Sequence, residues 1–310
     1  MSAARSIRSR SKKDSLNALG EKGLLEVLTS HWKTDPANIF VGVGDDCAVL
    51  RGDGKNHFLL FKTDAVVEGV HFSRQTKPEW IGRKALARAL SDLAAMGASS
   101  PLAAVVTLGV PADESVRRLR AIYRGMKRIA DRYQVNLVGG ETTRARQLFL
   151  NIALLGECRG HRPVLRSGAK AGDLIYVTGR LGATQTRHHL DFEPRLAEGY
   201  WLARHGVASS LMDLSDGLGA DLPRLAEASR VGFQLDLAAI PLASGATMQM
   251  ALNDGEDYEL LFTTSPSHAK TLKKKWPFKT PLHCIGVIRP RRKKSAELEL
   301  AHGFDHFKQR

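Results

Sequence analysis

Segments that favour helices alternate with segments that favour strands through the middle of the chain, and this alternation is the strongest constraint on the fold. WIGRKALARALSDLAAMGASSP has helical spacing and ends at Gly97 and Pro101, and DESVRRLRAIYRGMKRIADRY predicts a second, amphipathic helix. LAAVVTLGV, VNLVGGETTR and LFLNIALLGE predict strands, the second running into a Gly-Gly turn. This order predicts an α/β protein with helices layered on a shared sheet.

Three short strands are predicted before the first of these helices, over 39–43, 47–51 and 57–62. They place Asp45, Asp46 and Asp64 at strand edges or ends. A helix is predicted for GLLEVLTSHW, with the ordered part of the chain beginning near Gly20.

The polar stretch CRGHRPVLRSGAKAG interrupts the alternation and predicts a domain boundary near residue 160. Strands DLIYVTG, FQLDL, YELLFT and HCIGVI follow it, together with the strand-to-helix segment SLMDLSDGLGADLPRLAEAS. Helices are predicted around PRLAEGYWLARHG and over 270–275. We therefore expect a disordered basic tail over 1–20 and two α/β domains over 21–160 and 161–310.

The composition is typical of a soluble globular protein, with 310 residues of which 43% are hydrophobic and 25% charged. No apolar run reaches the roughly 18 residues of a membrane span, and the N-terminus lacks the apolar region of a secretory signal. We expect a cytoplasmic protein; the basic, Ser-rich start leaves an organellar transit peptide as the alternative. Cys47, Cys158 and Cys284 are far apart and odd in number, which predicts reduced core residues.

The net charge of +14 comes from two short regions. Residues 1–22 carry six Lys/Arg and two acids, and residues 265–296 carry ten Lys/Arg and no acid, so the rest of the chain is neutral by count. Only Trp276 and Phe278 offer aromatic rings near the second region. A solvated basic face is therefore the favoured interpretation, and we do not expect a nucleic-acid partner.

Acidic residues at turns and helix edges are the main candidates for chemistry. They are Asp45, Asp46, Asp64, Asp92, Glu141, Asp213 and Asp216. Each has a simpler explanation: Asp213 or Ser215 can cap a helix, Asp45 can shape a turn, and Glu141 can accept backbone amides. Together, oxygen ligands without Cys or paired His favour a hard cation such as Mg²⁺.

Asp92 stands out because helical geometry places it at one edge of an apolar arc, between Ile81, Ala85 and Met96. A carboxylate there is costly unless it is paired or bound to a cation. An i,i+4 pair with Arg88 is the alternative to a metal.

Phosphate binding has weaker candidates. Gly139 and Gly140 of LVGG can cradle a phosphate or form an ordinary turn, and Arg166 can supply a cation. Neither GxxxxGK[ST] nor a GxGxxG turn between strand and helix is present. Taken alone, His71 is a packed or capping residue and Glu256 a loop-surface acid.

Eight segments, read in order, resemble the successive motifs of the thiamine-monophosphate kinase family. They are GVGDDCAVL, KTDAVVEGVHF, KALARALSDLAAMGA, LVGGETTR, RSGAKAGDLIYVTG, MDLSDGL, GEDYELLF and GFDHF. The resemblance implies a two-domain PurM-like fold, with an N-terminal α/β domain that dimerises through its sheet and a C-terminal α/β domain. It also implies ATP-dependent phosphorylation of thiamine monophosphate to thiamine diphosphate with Mg²⁺ in a homodimer.

The same resemblance assigns roles residue by residue. The implied Mg²⁺ ligands are Asp46, Thr63, Asp64, Asp92, Glu141, Asp213 and Asp216. The implied ATP-site residues are Gly140, Glu141, Arg166 and Ser215, and the implied substrate contacts are His71, Glu256 and Phe304. Of all these, Asp46, Asp64, Asp92 and Arg166 are expected to act in catalysis.

Three departures from the family pattern affect these expectations. GGETTR replaces the usual GGDTTR, DGEDYEL replaces GGEDYEL, and the connection after VTGRLGAT is shortened. Two other interpretations stay open. The first is another PurM-like ATP-dependent enzyme with a different acceptor, among which selenophosphate synthetase is disfavoured because no Cys precedes the first acidic motif. The second is a non-catalytic nucleotide-binding or nucleic-acid-binding protein.

Overall fold

The computed structural model describes residues 16–291. Phe304 with the terminal GFDHF, most of the predicted tail over 1–20 and the end of the basic region over 265–296 lie outside the described residues. Helix α1 (Leu16–Thr29) begins before the predicted start near Gly20 and is kinked at that glycine.

A six-stranded sheet takes its strands from the first half of the chain. They are β1 (Ile39–Val41), β2 (Ala48–Arg51), β3 (His57–Val67), β4 (Ser100–Val110), β5 (Asn136–Arg144) and β6 (Phe149–Arg159). Their order is β1-β2-β3-β6-β4-β5, and all neighbours are antiparallel except β4 and β5. Those two are parallel because helix α3 (Val116–Arg132) returns the chain between them.

Two expectations for this sheet are wrong. Strand β3 runs on to Val67, so Asp64 lies inside a strand and not at its end. Strand β5 continues through Gly139 and Gly140 instead of turning there. Both glycines have positive φ, and a Cβ on Gly140 would lie 1.9 Å from the carbonyl oxygen of Val106 in β4. Glycine is needed at this position because the neighbouring strand approaches so closely.

A five-stranded antiparallel sheet forms in the second half, with the order β8-β10-β7-β11-β9. Its strands are β7 (Leu174–Thr178), β8 (Ser210–Asp213), β9 (Gly232–Leu235), β10 (Leu260–Thr264) and β11 (Leu282–Arg289). The helices of this half are α4 (His188–Asp191), α5 (Leu196–Arg204), α6 (Leu218–Ala228), α7 (Met248–Asn253) and α8 (Pro266–Lys275). The predicted α/β fold class is confirmed. Within residues 16–291, no helix has the length and apolar character that a membrane crossing requires.

Helix α2 (Pro78–Ala95) lies at the centre of the molecule, between the two sheets. It is buried on nearly all sides, as expected for a helix with neighbours all around it. Small residues allow close packing: a Cβ on Gly82 would lie 1.9 Å from the carbonyl oxygen of Ile122 in α3, and one on Gly199 of α5 would lie 2.0 Å from that of Ala94. Side chains carried by α2 can therefore reach both halves of the chain.

The face of the six-stranded sheet opposite α2 presents apolar side chains. Neighbouring residues on it come from β3, β6 and β4: Phe61, Leu155 and Ala103 in one row, and Thr63, Ala153 and Val105 in the next. Phe61 is 48% exposed and Val105 39% exposed. We call this surface, defined by these two rows, the open sheet face.

Candidate active site

Three buried carboxylates from distant parts of the chain meet beside α2. Asp46 lies in the loop between β1 and β2, Asp92 on α2, and Asp213 at the end of β8. They are 2%, 6% and 2% exposed, and one oxygen of each lies within 4.8 Å of the others. We call these three residues the acidic cluster. Like charges this close repel strongly in a buried setting, so the cluster needs cations or protons.

Two side chains donate to the acidic cluster from neighbouring positions. Lys62 Nζ lies 2.7 Å from Asp92 Oδ1, and Ser91 Oγ donates to Asp213 Oδ2 at 2.6 Å. Lys62 comes from β3, while Ser91 precedes Asp92 on α2. The cluster is therefore held by contacts between the first sheet, the central helix and the second sheet.

Asp46 keeps one oxygen without a partner. Arg166 Nε donates to its Oδ1 at 3.2 Å, and the backbone N–H of Arg166 donates to Asp45 Oδ2 at 3.2 Å. Asp46 Oδ2 is buried and has no hydrogen-bond partner among the described residues. Such an oxygen is costly, and coordination to a hard cation would satisfy it. The donor set of the acidic cluster therefore fits Mg²⁺.

The pKa values of the cluster show the same excess of negative charge. Burial, with the charge of Asp46 adding to it, raises the pKa of Asp213 to about 7. Burial also raises the pKa of Asp92 well above its ordinary range, although Lys62 opposes the shift. In the absence of a metal, the cluster is expected to retain protons that a divalent cation would displace.

Asp64 lies beside the acidic cluster with a cation of its own. Its Oδ1 is 3.7 Å from Arg88 Nη2. Burial opposes its ionisation, but Lys62 and Arg88 outweigh burial, so the pKa of Asp64 is lowered. The alternative that paired Asp92 with Arg88 is wrong: the partner of Asp92 is Lys62, and Arg88 contacts the strand.

Besides Asp64, three of the residues implied as metal ligands lie outside the acidic cluster. Because side chains alternate along β3, Thr63 points away from Asp64, and its hydroxyl donates to Asn151 Oδ1 at 2.9 Å. Glu141 is exposed on β5 and accepts from the next backbone N–H. Asp216 accepts a hydrogen bond from Arg224. Their roles as ligands remain predictions.

The implied ATP-site residues occupy two places. Gly140 is exposed on β5, whereas Ser215 follows β8, where its carbonyl oxygen accepts from the backbone N–H of Glu256 at 2.7 Å. Gly217 is the N-cap residue of α6, so the alternative in which Asp213 or Ser215 caps that helix is wrong.

A second cluster of polar side chains lies nearer the N-terminus of α2, around Lys84. Lys84 is fully buried, and its Nζ is 2.6 Å from Glu256 Oε1, 2.8 Å from His189 Nδ1 and 2.7 Å from the carbonyl oxygen of His71. His71 and Glu256, two implied substrate contacts from opposite halves of the chain, therefore meet at one lysine. We call these four residues the Lys84 group.

Charge and backbone conformation distinguish Glu256 from a loop-surface acid, which corrects that alternative. Burial opposes its ionisation, but a hydrogen bond from His189 and the charge of Lys84 lower its pKa to about 2. Burial in turn lowers the pKa of Lys84 to about 8. Glu256 has a φ of 57° and Tyr258 a φ of 51°, values that are uncommon outside glycine and cluster at functional sites.

Two basic partners of these acids, Lys62 and Lys84, were missed from the sequence. Lys62 shares its strand face with Phe58 and Leu60, where a lysine is unexpected. Lys84 and Arg88 precede Asp92 at intervals of four residues, which puts all three on one side of a helix. Charged residues repeated along a buried helix face are the signal that could have identified Lys84.

Known proteins resemble the chain over most of its length. The family model described as AIR synthase related protein, N-terminal domain, matches residues 44–158. The thiamine-monophosphate kinase of Buchnera aphidicola subsp. Acyrthosiphon pisum is 35% identical over 300 residues, covering 86% of this chain and 90% of that protein. The thiamine-monophosphate kinase of Escherichia coli strain K12 is 34% identical, covering 79% of this chain and 83% of that protein.

A solved structure described as AaThiL complexed with AMPPCP and TMP superimposes with a TM-score of 0.81 at 28% identity. The match covers 97% of this chain and all of that one. The similarity therefore includes both sheets and the central helix.

Proposed function

The chain belongs to the thiamine-monophosphate kinase family, and we propose that it transfers the γ-phosphoryl group of ATP to thiamine monophosphate, giving thiamine diphosphate. The observation that carries this proposal is the acidic cluster, with its unpartnered oxygen on Asp46, in a chain whose fold matches a structure complexed with AMPPCP and TMP. AMPPCP is an ATP analogue, so the two ligands of that relative correspond to the two proposed substrates.

Mg²⁺ is the proposed cofactor, held by the acidic cluster with Asp64 close by. Glu141 and Asp216 are further proposed positions, as is the backbone of Thr63, whose hydroxyl lies on the face of β3 opposite Asp64. Bound Mg²⁺ would neutralise phosphate charge and align the two substrates. The burial of the three carboxylates keeps water away from them and strengthens their hold on a cation.

Direct in-line transfer needs no general base here, because the acceptor is a phosphate monoester with a second pKa of about 6 and is largely a dianion at neutral pH. Repulsion between this dianion and the ATP phosphates is the main obstacle. We assign Arg166 to offset that repulsion, since Asp46 holds its guanidinium beside the acidic cluster. Gly140, Glu141 and Ser215 are proposed to complete the ATP site.

The Lys84 group is the proposed binding place for the thiamine part of the acceptor. Thiamine carries a cationic ring, and Glu256, with its lowered pKa, offers an ionised carboxylate. His71 lies at the same place through the contact of its carbonyl oxygen with Lys84. Phe304 is proposed as a third contact and lies outside the described residues.

The open sheet face is the proposed surface of a homodimer, since its exposed Phe61 and Val105 would be covered there. The division into domains over 21–160 and 161–310, the cytoplasmic location and the lack of a nucleic-acid partner stay predictions from the sequence.

Thiamine diphosphate formation tests the proposed function. The full chain is incubated with ATP and thiamine monophosphate, with and without Mg²⁺, beside Asp92→Asn and the exposed control Asp131→Asn. We expect Mg²⁺-dependent product from the wild type and the control only. ATP binding without turnover, or turnover with another acceptor but not thiamine monophosphate, would contradict the proposal.

A further inference from the structure

Lys62 brings a positive charge to a strand face that it shares with apolar residues and with one acid, Asp64. It follows Phe58 and Leu60 at alternate positions in β3, and both of these are buried. Its side chain is 22% exposed, and that of its partner Asp92 is 8% exposed. Placing an ammonium group here is unfavourable unless its charge is paired with a carboxylate.

The charge of Lys62 acts on the acidic cluster beyond its direct partner. Its Nζ contacts Asp92 Oδ1 at 2.7 Å, and the same ammonium favours the ionised forms of Asp64 and Asp213. The hydrogen bonds of Arg166 to the cluster are made on its Asp46 side. Lys62 therefore occupies the side on which α2 and β3 meet.

An ammonium group and a divalent cation seek the same carboxylate oxygens and repel each other at short range. Where Lys62 contacts Asp92, it therefore reduces the attraction of the cluster for a further metal ion. Unlike a metal ion, it is tethered to the chain and present at every stage of turnover.

We propose that Lys62 is a built-in cation of the active site, whose ammonium takes one cation position at Asp92 and lowers the number or affinity of divalent ions that the acidic cluster binds. This inference rests on the proposed metal site and deepens it. Lys62 is a positioning residue for Asp92, and it makes the cluster less dependent on added metal.

A Mn²⁺ titration measures the number and affinity of divalent ions that the acidic cluster binds, and it needs no turnover. Lys62→Met and the matched exposed control Lys127→Met are stripped of metal as full-length protein and titrated with Mn²⁺ by calorimetry. We expect Lys62→Met to bind one more Mn²⁺ per chain, or to bind Mn²⁺ roughly tenfold tighter. Lys62→Arg, which keeps the charge, should bind like the wild type.

Thermal unfolding supplies a second readout. Without metal, Lys62→Met should unfold at a lower temperature than the wild type. Adding Mg²⁺ should raise the unfolding temperature of Lys62→Met by more than it raises that of the wild type. A purely structural ion pair would lose the same stability with and without Mg²⁺. If Lys62→Met does not fold in metal-free buffer, Lys62→Gln replaces it, and the same comparison applies.

The outcomes separate this inference from the proposed function. Equal Mn²⁺ binding and equal Mg²⁺ stabilisation in wild type and Lys62→Met would overturn the role of Lys62 while leaving the metal site intact. A wild type that binds no more Mn²⁺ than Asp213→Asn would instead contradict the metal site itself.

Discussion

Lys84, Arg88 and Asp92 form a polar stripe along α2, and the two ends of this stripe differ in their balance of charge. Among residues 16–291, Lys84 pairs with one carboxylate, Glu256, so the charges at that end are balanced within the chain before any substrate binds. Eight residues later, Asp92 is one of three clustered carboxylates whose ion pairs, within residues 16–291, are with Lys62 and Arg166. The first arrangement fixes a loop in place, whereas the second retains negative charge for which an external cation is expected.

The difference shows how one buried helix can serve two tasks. Arg88 lies midway between the ends and pairs with Asp64. Under the proposed function, the paired charges at the Lys84 end would give a rigid place for the substrate, and the unpaired charges at the Asp92 end would give affinity for metal.

The largest effect is expected at the Asp92 end of α2, beside the acidic cluster. Asp46→Ala or Asp64→Ala should lower thiamine diphosphate formation by more than about 100-fold, because each removes a proposed metal ligand. Two opposing changes set the metal-free stability of Asp46→Ala, since it removes one of the repelling charges and also the partner of Arg166. Turnover close to that of the wild type in either variant would contradict the assignment.

At the Lys84 end of α2, a substitution should mainly lower stability instead of turnover. Lys84→Met leaves Glu256 buried without its cation, which costs about 3–5 kcal/mol of unfolding free energy. Adding Glu256→Gln to this variant should recover part of the loss, as measured by urea denaturation. If the single variant is as stable as the wild type, Lys84 and Glu256 are not a closed pair.

The two ends should also differ in their pH dependence. Because the pKa of Asp213 rises from 3.8 to about 7 on folding, the native state binds more protons, and metal-free stability from this group falls as pH rises through this window. The pKa of Glu256 falls from 4.5 to about 2, so its contribution is lost as pH falls through that window. Unfolding free energies are measured against pH with and without Mg²⁺. Mg²⁺ should remove the pH dependence that comes from Asp213 and leave the one that comes from Glu256. The same slope above about pH 4 with and without Mg²⁺ would contradict the metal site at Asp213.

Thr63→Val should have the smallest effect. Its hydroxyl donates to Asn151 on the face of β3 opposite Asp64, so its loss should cost about 1 kcal/mol and leave the Mg²⁺ requirement unchanged. Rates measured over a Mg²⁺ titration check this, and an increased Mg²⁺ requirement would show that the hydroxyl acts as a ligand.

Much of the fold follows from local patterns, and the site follows in part. The apolar arc of α2 predicted that Asp92 is buried. The alternation of strands and helices predicted helices layered on a sheet. Strand β5 was expected to turn at Gly139 and Gly140, because glycine pairs usually mark turns. The structure differs there because β4 pairs with β5 across both glycines.

The partners of the acids could not be predicted, because they depend on packing between distant elements. Nothing near Asp92 in the sequence selects Lys62 over Arg88, since the choice is made by how β3 packs against α2. In the same way, the contact between Lys84 and Glu256 joins residues from different halves of the chain.

The position of Mn²⁺ in crystals grown with AMPPCP tests the central claim most directly. Anomalous diffraction at the manganese edge should show an ion bounded by the carboxylates of Asp46, Asp92 and Asp213. Manganese bound elsewhere, for example at Glu141 or Asp216, with none at the acidic cluster, would contradict the account.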